Sequence, residues 1–456
     1  MVGGPLKLLP GIAALSLTAA VSALASVFFR LIRETQIVLA ACLVAMIGTV
    51  SAEDWPQFRG PDRSGVSKES GLLQAWPEAG PPLLWTYRQG GVGFSPPAIV
   101  GNWLYSMGAH SKEGANEKTD CVYALDVQTG RQLWSTPIGP MVPMDWGDGP
   151  CATPTVDGEL LFALTTAGEM HCLETATGKR IWRVNLKEDF GGAVLHEGRY
   201  TESPLIDGDK LICSPGGQLG TLAALDKKTG RTIWRSKDTT DEAVCSSPIV
   251  VNVGGLRQYV NLNGKGVAGV AAEDGRLLWN SDIPKAWIMV PTPIFFDDHI
   301  YVTSAYGVGC GLVKLARQGD GITAVEVYRN KVMKNHHGGV ILVDGYLYGH
   351  SDPSGWVCQE FKTGKMIWVE KNALGKGSIT CADRHFYCFS EKGGTLALIE
   401  ATPSGWKETG RFTIPEESKL PRRQGLIWTP PVVSNGRLYL RDQDLLFCYD
   451  IANHTR

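Results

Sequence analysis

ALDVQTGRQLW at residues 124–134 returns as CLETATGKRIW at 172–182, ALDKKTGRTIW at 224–234, VAAEDGRLLW at 270–279 and QEFKTGKMIW at 359–368. Each phrase reads as a strand, a Gly-containing turn and a second strand closed by Trp. Weaker copies put Tyr328 (ITAVEVY) and Phe412 (WKETGRF) in the Trp place, and LLW at Trp85 is a closing strand without its partner. Successive closing positions from Trp85 lie 49, 48, 52, 45, 49, 40 and 44 residues apart, the period of blade-sized repeats.

Between these phrases runs a second recurring unit: SPPAIVGNWLYSM, ATPTVDGELLFAL, ESPLIDGDKLICS, SSPIVVNVGGLRQYV, PTPIFFDDHIYVT, GGVILVDGYLYGH, GSITCADRHFYCF and TPPVVSNGRLYLR. A short apolar run, a Gly/Asp/Asn turn and a second apolar run mark a β-hairpin. Eight hairpins and eight closing strands predict an all-β chain: an eight-bladed β-propeller of four-stranded antiparallel blades. The last hairpin, followed by LLFCYDI, has no closing strand after it. The orphan strand at residues 83–87 supplies it, so the N-terminal strand closes the ring. Trp85, Trp134, Trp182, Trp234, Trp279 and Trp368 then read as structural anchors docking blade on blade, each worth about 3–5 kcal/mol on truncation to Ala. The Gly after Thr serves a positive φ in the turn.

Composition agrees. The 456 residues carry 44 Lys+Arg against 46 Asp+Glu, and 54 Gly with 14 Trp suit a turn-rich β protein with bulky anchors. A disordered tail and a polyanion-binding protein are excluded, and nucleic-acid binding lacks its electrostatic footprint. Eleven cysteines include no C-x-x-C and no adjacent pair, so no zinc ribbon or thioredoxin-type site is encoded. Cys172, Cys213, Cys358 and Cys448 fall on strand patterns as small buried hydrophobes. No P-loop, H-E-x-x-H, EF-hand loop or G-x-S-x-G is present, and Asn453-His-Thr matches a glycosylation acceptor only at the chain end.

Two apolar stretches open the chain, residues 8–29 and 37–50, with Arg30 and Arg33 between them. The second ends in Val50-Ser51-Ala52, a small-residue cleavage pattern, and reads as a secretory signal peptide with mature protein starting near Glu53. The first is long enough for a membrane span, which leaves a signal anchor, a membrane hairpin or a misassigned start as alternatives. Leu39-Ala40-Ala41-Cys42 also resembles a lipobox, though apolar residues follow it. The expected organisation is 1–52 signal or membrane segment, 53–82 leader, 83–451 propeller and 452–456 tail, in an exported, periplasmic or extracellular, monomeric protein.

Over residues 83–451 the TGxxxW phrase resembles the tryptophan-docking repeat of pyrroloquinoline-quinone (PQQ) enzymes and their relatives. That family implies a propeller, and it holds both quinoprotein dehydrogenases and non-enzymatic scaffolds such as the lipoprotein of the bacterial β-barrel assembly machinery. The leader EDWPQFRGPDRSGVS, residues 53–67, is similar to the opening of many secreted PQQ-repeat proteins of planctomycete-type bacteria. The dehydrogenases are marked by an adjacent cysteine pair, a Ca²⁺ held by Glu and Asn, and a catalytic Asp. This chain has no Cys-Cys dipeptide and no C-x-x-C-H haem motif, so no cofactor or metal is assigned and PQQ with Ca²⁺ stays an alternative.

In a propeller, the loops joining an outer strand to the next inner strand gather at one mouth of the channel. Here they are long and carry Asp145, Trp146 and Asp148; His196, Arg199, Tyr200 and Glu202; Trp287; His336 and His337; and Arg422, Arg423 and Trp428. Long polar loops on a rigid scaffold are where binding residues concentrate. The adjacent histidines can offer a metal ligand or general base, with Asp145, Asp148 or Glu202 as carboxylate partners; otherwise they pack in a solvated loop. Arg422-Arg423 can hold an anion or stand as an exposed pair. Trp146, Trp287 and Trp428 lie outside the docking phrase, as stacking surfaces or as packing under the loops. The leading expectation is a non-catalytic binding or assembly scaffold with a protein or glycan partner in the cell envelope. A PQQ-dependent sugar or alcohol dehydrogenase and a carbohydrate-binding propeller are the alternatives.

Overall fold

The computed structural model describes residues 1, 3, 4, 53–111, 117–195 and 199–454. The two apolar stretches, Cys42 and His196 therefore lie outside the described residues. No described helix is long and apolar enough to cross a membrane.

Eight sheets follow one another along the chain: blade 1 spans residues 98–140, blade 2 155–185, blade 3 205–235, blade 4 249–281, blade 5 294–330, blade 6 341–370, blade 7 377–413 and blade 8 432–450 with 83–87. Each is a four-stranded antiparallel meander, the eight-bladed propeller that the repeat predicts. Strand Leu83–Tyr87 pairs antiparallel with Leu445–Asp450, setting Trp85 opposite Cys448. The first strand of the ring thus completes the last blade.

Docking is concrete in the hydrogen bonds. Indole Nε1 of Trp85 donates to Val127 O at 2.9 Å, Trp134 to Thr175 O at 3.0 Å, Trp182 to Lys227 O at 3.0 Å, Trp234 to Ala272 O at 3.3 Å and Trp368 to Thr402 O at 3.4 Å. Each bond runs from the closing strand of one blade to the turn of the next. Tyr328 substitutes through Oη, 2.9 Å from Phe361 O. Phe412, with no donor, packs on Trp76 and Tyr449 at 5.8 and 4.9 Å between ring centroids. The turn itself is preformed: Thr129 N and Oγ1 both donate to Asp126 Oδ1, and Gly130 takes φ 68°. A Cβ on Gly130 would lie 2.6 Å from the Trp85 ring, so glycine is required there twice over.

Trp279 departs from the rule. Its Nε1 donates within its own blade, to Gln258 Oε1 at 2.5 Å. The physical reason is the neighbour: where the other blades turn, the blade 5 strands Gly309–Gln318 and Gly321–Asn330 run on as a hairpin of ten residues a side. A second belt joins the blades nearer the axis, where Ser203 N bonds Ser247 Oγ, Ser246 Oγ bonds Pro291 O, Ser378 Oγ bonds Thr429 O and Thr429 Oγ1 bonds Phe94 O. Eight of the ten described cysteines are buried as free thiols in the blades.

The leader is not a loose tether. Trp55 is 2% exposed and exchanges backbone bonds with Ile99 of blade 1, and Pro56 O accepts from Val156 N of blade 2. Arg63 donates to Ser203 O and Pro204 O before blade 3 and to Pro248 O before blade 4. Arg59 reaches Val340 O before blade 6 at 2.6 Å. Val66–Ser67 then adds a parallel strand to blade 7 against Cys381 and Ala382, and Glu69 accepts from the blade 8 turn. Residues 53–69 thus cross the axis and bond the inner ends of seven blades, plugging one end of the channel.

Candidate functional site

The other end of the channel is open, and a cavity of about 300 Å³ lies there. Its floor includes Phe58 and Arg59 of the plug. Its wall is an arc of six rings: Trp287 to Tyr306 at 4.9 Å between centroids, Tyr306 to His336 at 5.1 Å, His336 to His337 at 4.9 Å, His337 to Trp428 at 5.3 Å, and Trp428 stacked on Phe94 at 5.0 Å. These rings come from the approaches to blades 1, 5, 6 and 8 and from the Tyr306 turn inside blade 5. The propeller gathers into one surface what the chain scatters over more than 300 residues.

Polar groups fix the histidines. Lys376 Nζ donates to His336 Nδ1 at 2.8 Å and to Asp352 Oδ2 at 2.6 Å, which leaves His336 Nε2–H to meet Tyr306 Oη at 3.2 Å. Burial first, then His337 and Lys376 beside it, push the His336 pKa down to about 3. Burial also lowers His337, against the opposing pull of Glu391. The pair is neutral at neutral pH, with His337 Nε2–H donating to Glu391 Oε2 at 2.9 Å. Burial opposes ionisation of Glu391, but His337, Lys376 and the Trp428 indole at 3.3 Å outweigh it and hold its pKa below the usual value.

Arg199 lines the cavity from the opposite side and is 1% exposed. Its Nη1 donates to Gly147 O at 2.8 Å and its Nη2 to the weak acceptor Cys151 Sγ at 3.4 Å, while Nε has no partner. Among the described residues no carboxylate makes an ion pair with Arg199. Arg59 on the floor is likewise satisfied by carbonyls alone. The cavity therefore combines flat apolar walls with buried positive charge.

Of the residues picked from the sequence, Trp146, Arg199, Trp287, His336, His337 and Trp428 border this cavity. The others do not. Asp145 and Arg423 border a shallow neighbouring depression, where Arg423 lies 3.5 Å from Asp145 and 3.4 Å from Asp148, which also meets Lys118 at 3.1 Å. Arg422 is no exposed partner to Arg423, because it is pinned on the buried carboxylate of Asp442. Glu202 is buried behind the wall, accepting from Ser214 N, and Tyr200 is buried with its hydroxyl on Pro215 O. The carboxylates beside the histidines are Glu391 and Asp352 instead of Asp145, Asp148 or Glu202. Phe58, Arg59, Phe94, Tyr306, Lys376 and Glu391 were missed. Phe58 and Arg59 carried one signal, a Trp-led segment rich in Gly, Pro and Arg that lay outside every repeat.

The donor set does not fit a calcium-bridged quinone. Ca²⁺ takes six to eight oxygen ligands, whereas Glu391 is the one carboxylate among the described residues lining the cavity and is already engaged by His337 and Trp428. Among the described residues no group of three His, Cys, Asp or Glu side chains is placed to share a metal ion.

The fold and mouth define a tryptophan-docked, PQQ-like eight-bladed propeller with an aromatic cavity at its open mouth. Within that class, the chain belongs to the family described as outer membrane protein assembly factor BamB, whose model matches residues 118–370. Among curated relatives, a serine/threonine-protein kinase AfsK of Streptomyces griseus is 31% identical over 134 residues, 29% of this chain and 15% of the kinase. An outer membrane protein assembly factor BamB of Bordetella pertussis is 25% identical over 154 residues, 34% of each chain. The matches thus span well under two thirds of either relative. Among solved structures, BamB from Moraxella catarrhalis shares the fold with a TM-score of 0.56 at 16% identity, covering 82% of this chain and 98% of that one. Quinohemoprotein alcohol dehydrogenase from Comamonas testosteroni does so at 0.57 and 11% identity, covering 91% and 82%. At such identities the likeness is one of fold.

Proposed function

We propose that the protein is an exported, non-catalytic propeller of the cell envelope, a binding or assembly scaffold that holds a segment of a partner protein in its mouth cavity. The observation that carries this reading is the pairing of a six-ring aromatic arc with Arg199, a buried guanidinium whose Nε has no partner. Such a cavity takes a flat apolar group joined to an anionic one, as in a peptide carrying aromatic and acidic side chains. The plug makes the cavity one-ended, so the ligand enters and leaves by the same mouth. Family membership supports a scaffold, and the cleavage pattern at Val50-Ser51-Ala52 supports export.

The test is a titration of the purified protein, followed by tryptophan fluorescence and melting temperature, with three probes: short acidic-aromatic peptides, neutral oligosaccharides, and PQQ with Ca²⁺. Saturable binding of the peptides, weakened at least about tenfold in Arg199→Gln with melting retained, is the expected result. One-to-one PQQ binding with a raised melting point would replace this reading with a dehydrogenase. Oligosaccharide binding that survives Arg199→Gln and is lost in Trp287→Ala would assign the mouth to glycans, the reading that Trp146 at 40% and Trp287 at 50% exposure favour.

A further inference from the structure

We propose that Glu69 is the receptor for the α-ammonium group created when the chain is cut between Ala52 and Glu53. Two independent observations select this bond. In the sequence, Val50 and Ala52 stand three and one residues before it, the small side chains that an export endopeptidase requires. In the structure, Glu53 is tied down at three atoms. Its N lies 3.3 Å from Glu69 Oε1, its side-chain Oε2 accepts from Lys68 N at 2.6 Å, and its carbonyl accepts from Ser434 Oγ at 2.7 Å.

Glu69 is 2% exposed. Besides Glu53 N it takes Asn435 N and, at 2.9 Å, Gly436 N, both from the turn of blade 8. All its donors are peptide N–H groups, and no cation among the described residues makes an ion pair with it. A buried carboxylate without a counter-charge is costly, and burial keeps the Glu69 pKa raised despite three backbone donors. The other titratable groups facing it are the Glu53 carboxylate, itself beside Lys68, and the Tyr387 phenol on blade 7. None supplies the missing positive charge at the carboxylate. Hydrolysis of the 52–53 bond does: water adds across the amide, Ala52 leaves with the carboxylate, and the amine of Glu53 takes up a proton. One N–H at Glu69 becomes an ammonium at the same place.

Processing then locks the plug onto blade 8, and the same ammonium–carboxylate pair joins the start of the mature chain to its last blade. This inference rests on the export reading above, and the experiment separates the two. The full-length chain with a C-terminal tag is exported from a bacterial host, and the purified product is sequenced from its N-terminus. Its α-amine is then titrated by NMR after reductive ¹³C-methylation. The expected product begins at Glu53, with an α-amine titrating at least about one unit above the ordinary 7.7–8.0 and returning to that range in Glu69→Gln. A chain exported but left uncut, or cut elsewhere, overturns this inference alone, and a chain retained in the cytoplasm overturns the export reading together with it. A chain beginning at Glu53 whose α-amine titrates at the ordinary value overturns the docking alone, and the wild-type protein decides that even if Glu69→Gln does not fold.

Discussion

Replacing Arg63 by Met should destabilise the propeller by about 3–5 kcal/mol. The side chain is 4% exposed and bonds Ser203 O at 3.2 Å, Pro248 O at 2.9 Å, Pro204 O and, through Nε, Gln57 Oε1 at 3.0 Å. Methionine fills most of the volume and offers no donor, so three main-chain carbonyls at the inner ends of two blades lose their partner. Each buried orphan costs about 1–3 kcal/mol. Relief of the buried charge, whose desolvation draws the guanidinium pKa down to about 9, works the other way and holds the total below the sum of three acceptors. Lysine should recover less than half, because a single ammonium cannot fork across carbonyls on two blades. The assay is guanidinium chloride unfolding followed by tryptophan fluorescence and far-ultraviolet circular dichroism, with a lower midpoint at unchanged slope expected. A loss under about 1 kcal/mol at unchanged slope would refute the idea that the plug holds the blades together, since mutations near a core average that much without any special role.

Three further predictions concern the ring and its pH response. Trp85→Ala, which removes both the Val127 bond and the ring over Gly130, should cost about 3–5 kcal/mol. Trp279→Phe should cost about 1–3 kcal/mol by stranding Gln258 Oε1, and thermal melts of the two variants check the order. Burial raises Glu202 to about 7 and Asp120 to about 6, from 4.5 and 3.8. Because the folded state binds protons at these two carboxyls more readily than the unfolded one, their contribution to stability falls as pH rises from about 4 to about 7, while the lowered His336, His337 and His171 contribute in the opposite direction. In Glu202→Gln that one contribution is removed, so the variant should match the wild type within about 1 kcal/mol near pH 4 and gain on it progressively as pH rises toward about 7. A denaturation midpoint measured at half-unit pH intervals decides it, and an unchanged slope would place the titrating group elsewhere.

The architecture was legible because blade and docking are local: strand, turn and closing Trp fall within about a dozen residues, so a repeated phrase exposes them. Even the weak copies at Tyr328 and Phe412 were correctly placed, since the hydroxyl and the phenyl ring take over half of the indole's task each. The mouth was legible only as a set of loops. Which side chains of a loop face the axis depends on how eight loops converge, and no periodicity records that. Arg422 and Glu202 looked like free charges and are bound to Asp442 and Ser214, whereas Lys376 and Glu391 sat unnoticed at the ends of ordinary strands. The largest omission was the plug. Arg59 and Arg63 lie in a leader outside every repeat, and each is buried in part against carbonyls more than a hundred residues away.

The pairing of strand Leu83–Tyr87 with Leu445–Asp450 also sets the order in which the molecule can be made. On a ribosome or a translocation pore, residues 83–87 emerge early and must wait with both backbone edges open until the last strand arrives, and residues 53–69 cannot settle until seven blades exist to receive them. The loop closed in that final step is nearly the whole chain, so folding is late, cooperative and slow. Any product of interrupted synthesis exposes two unpaired strand edges, the surface most prone to joining another chain.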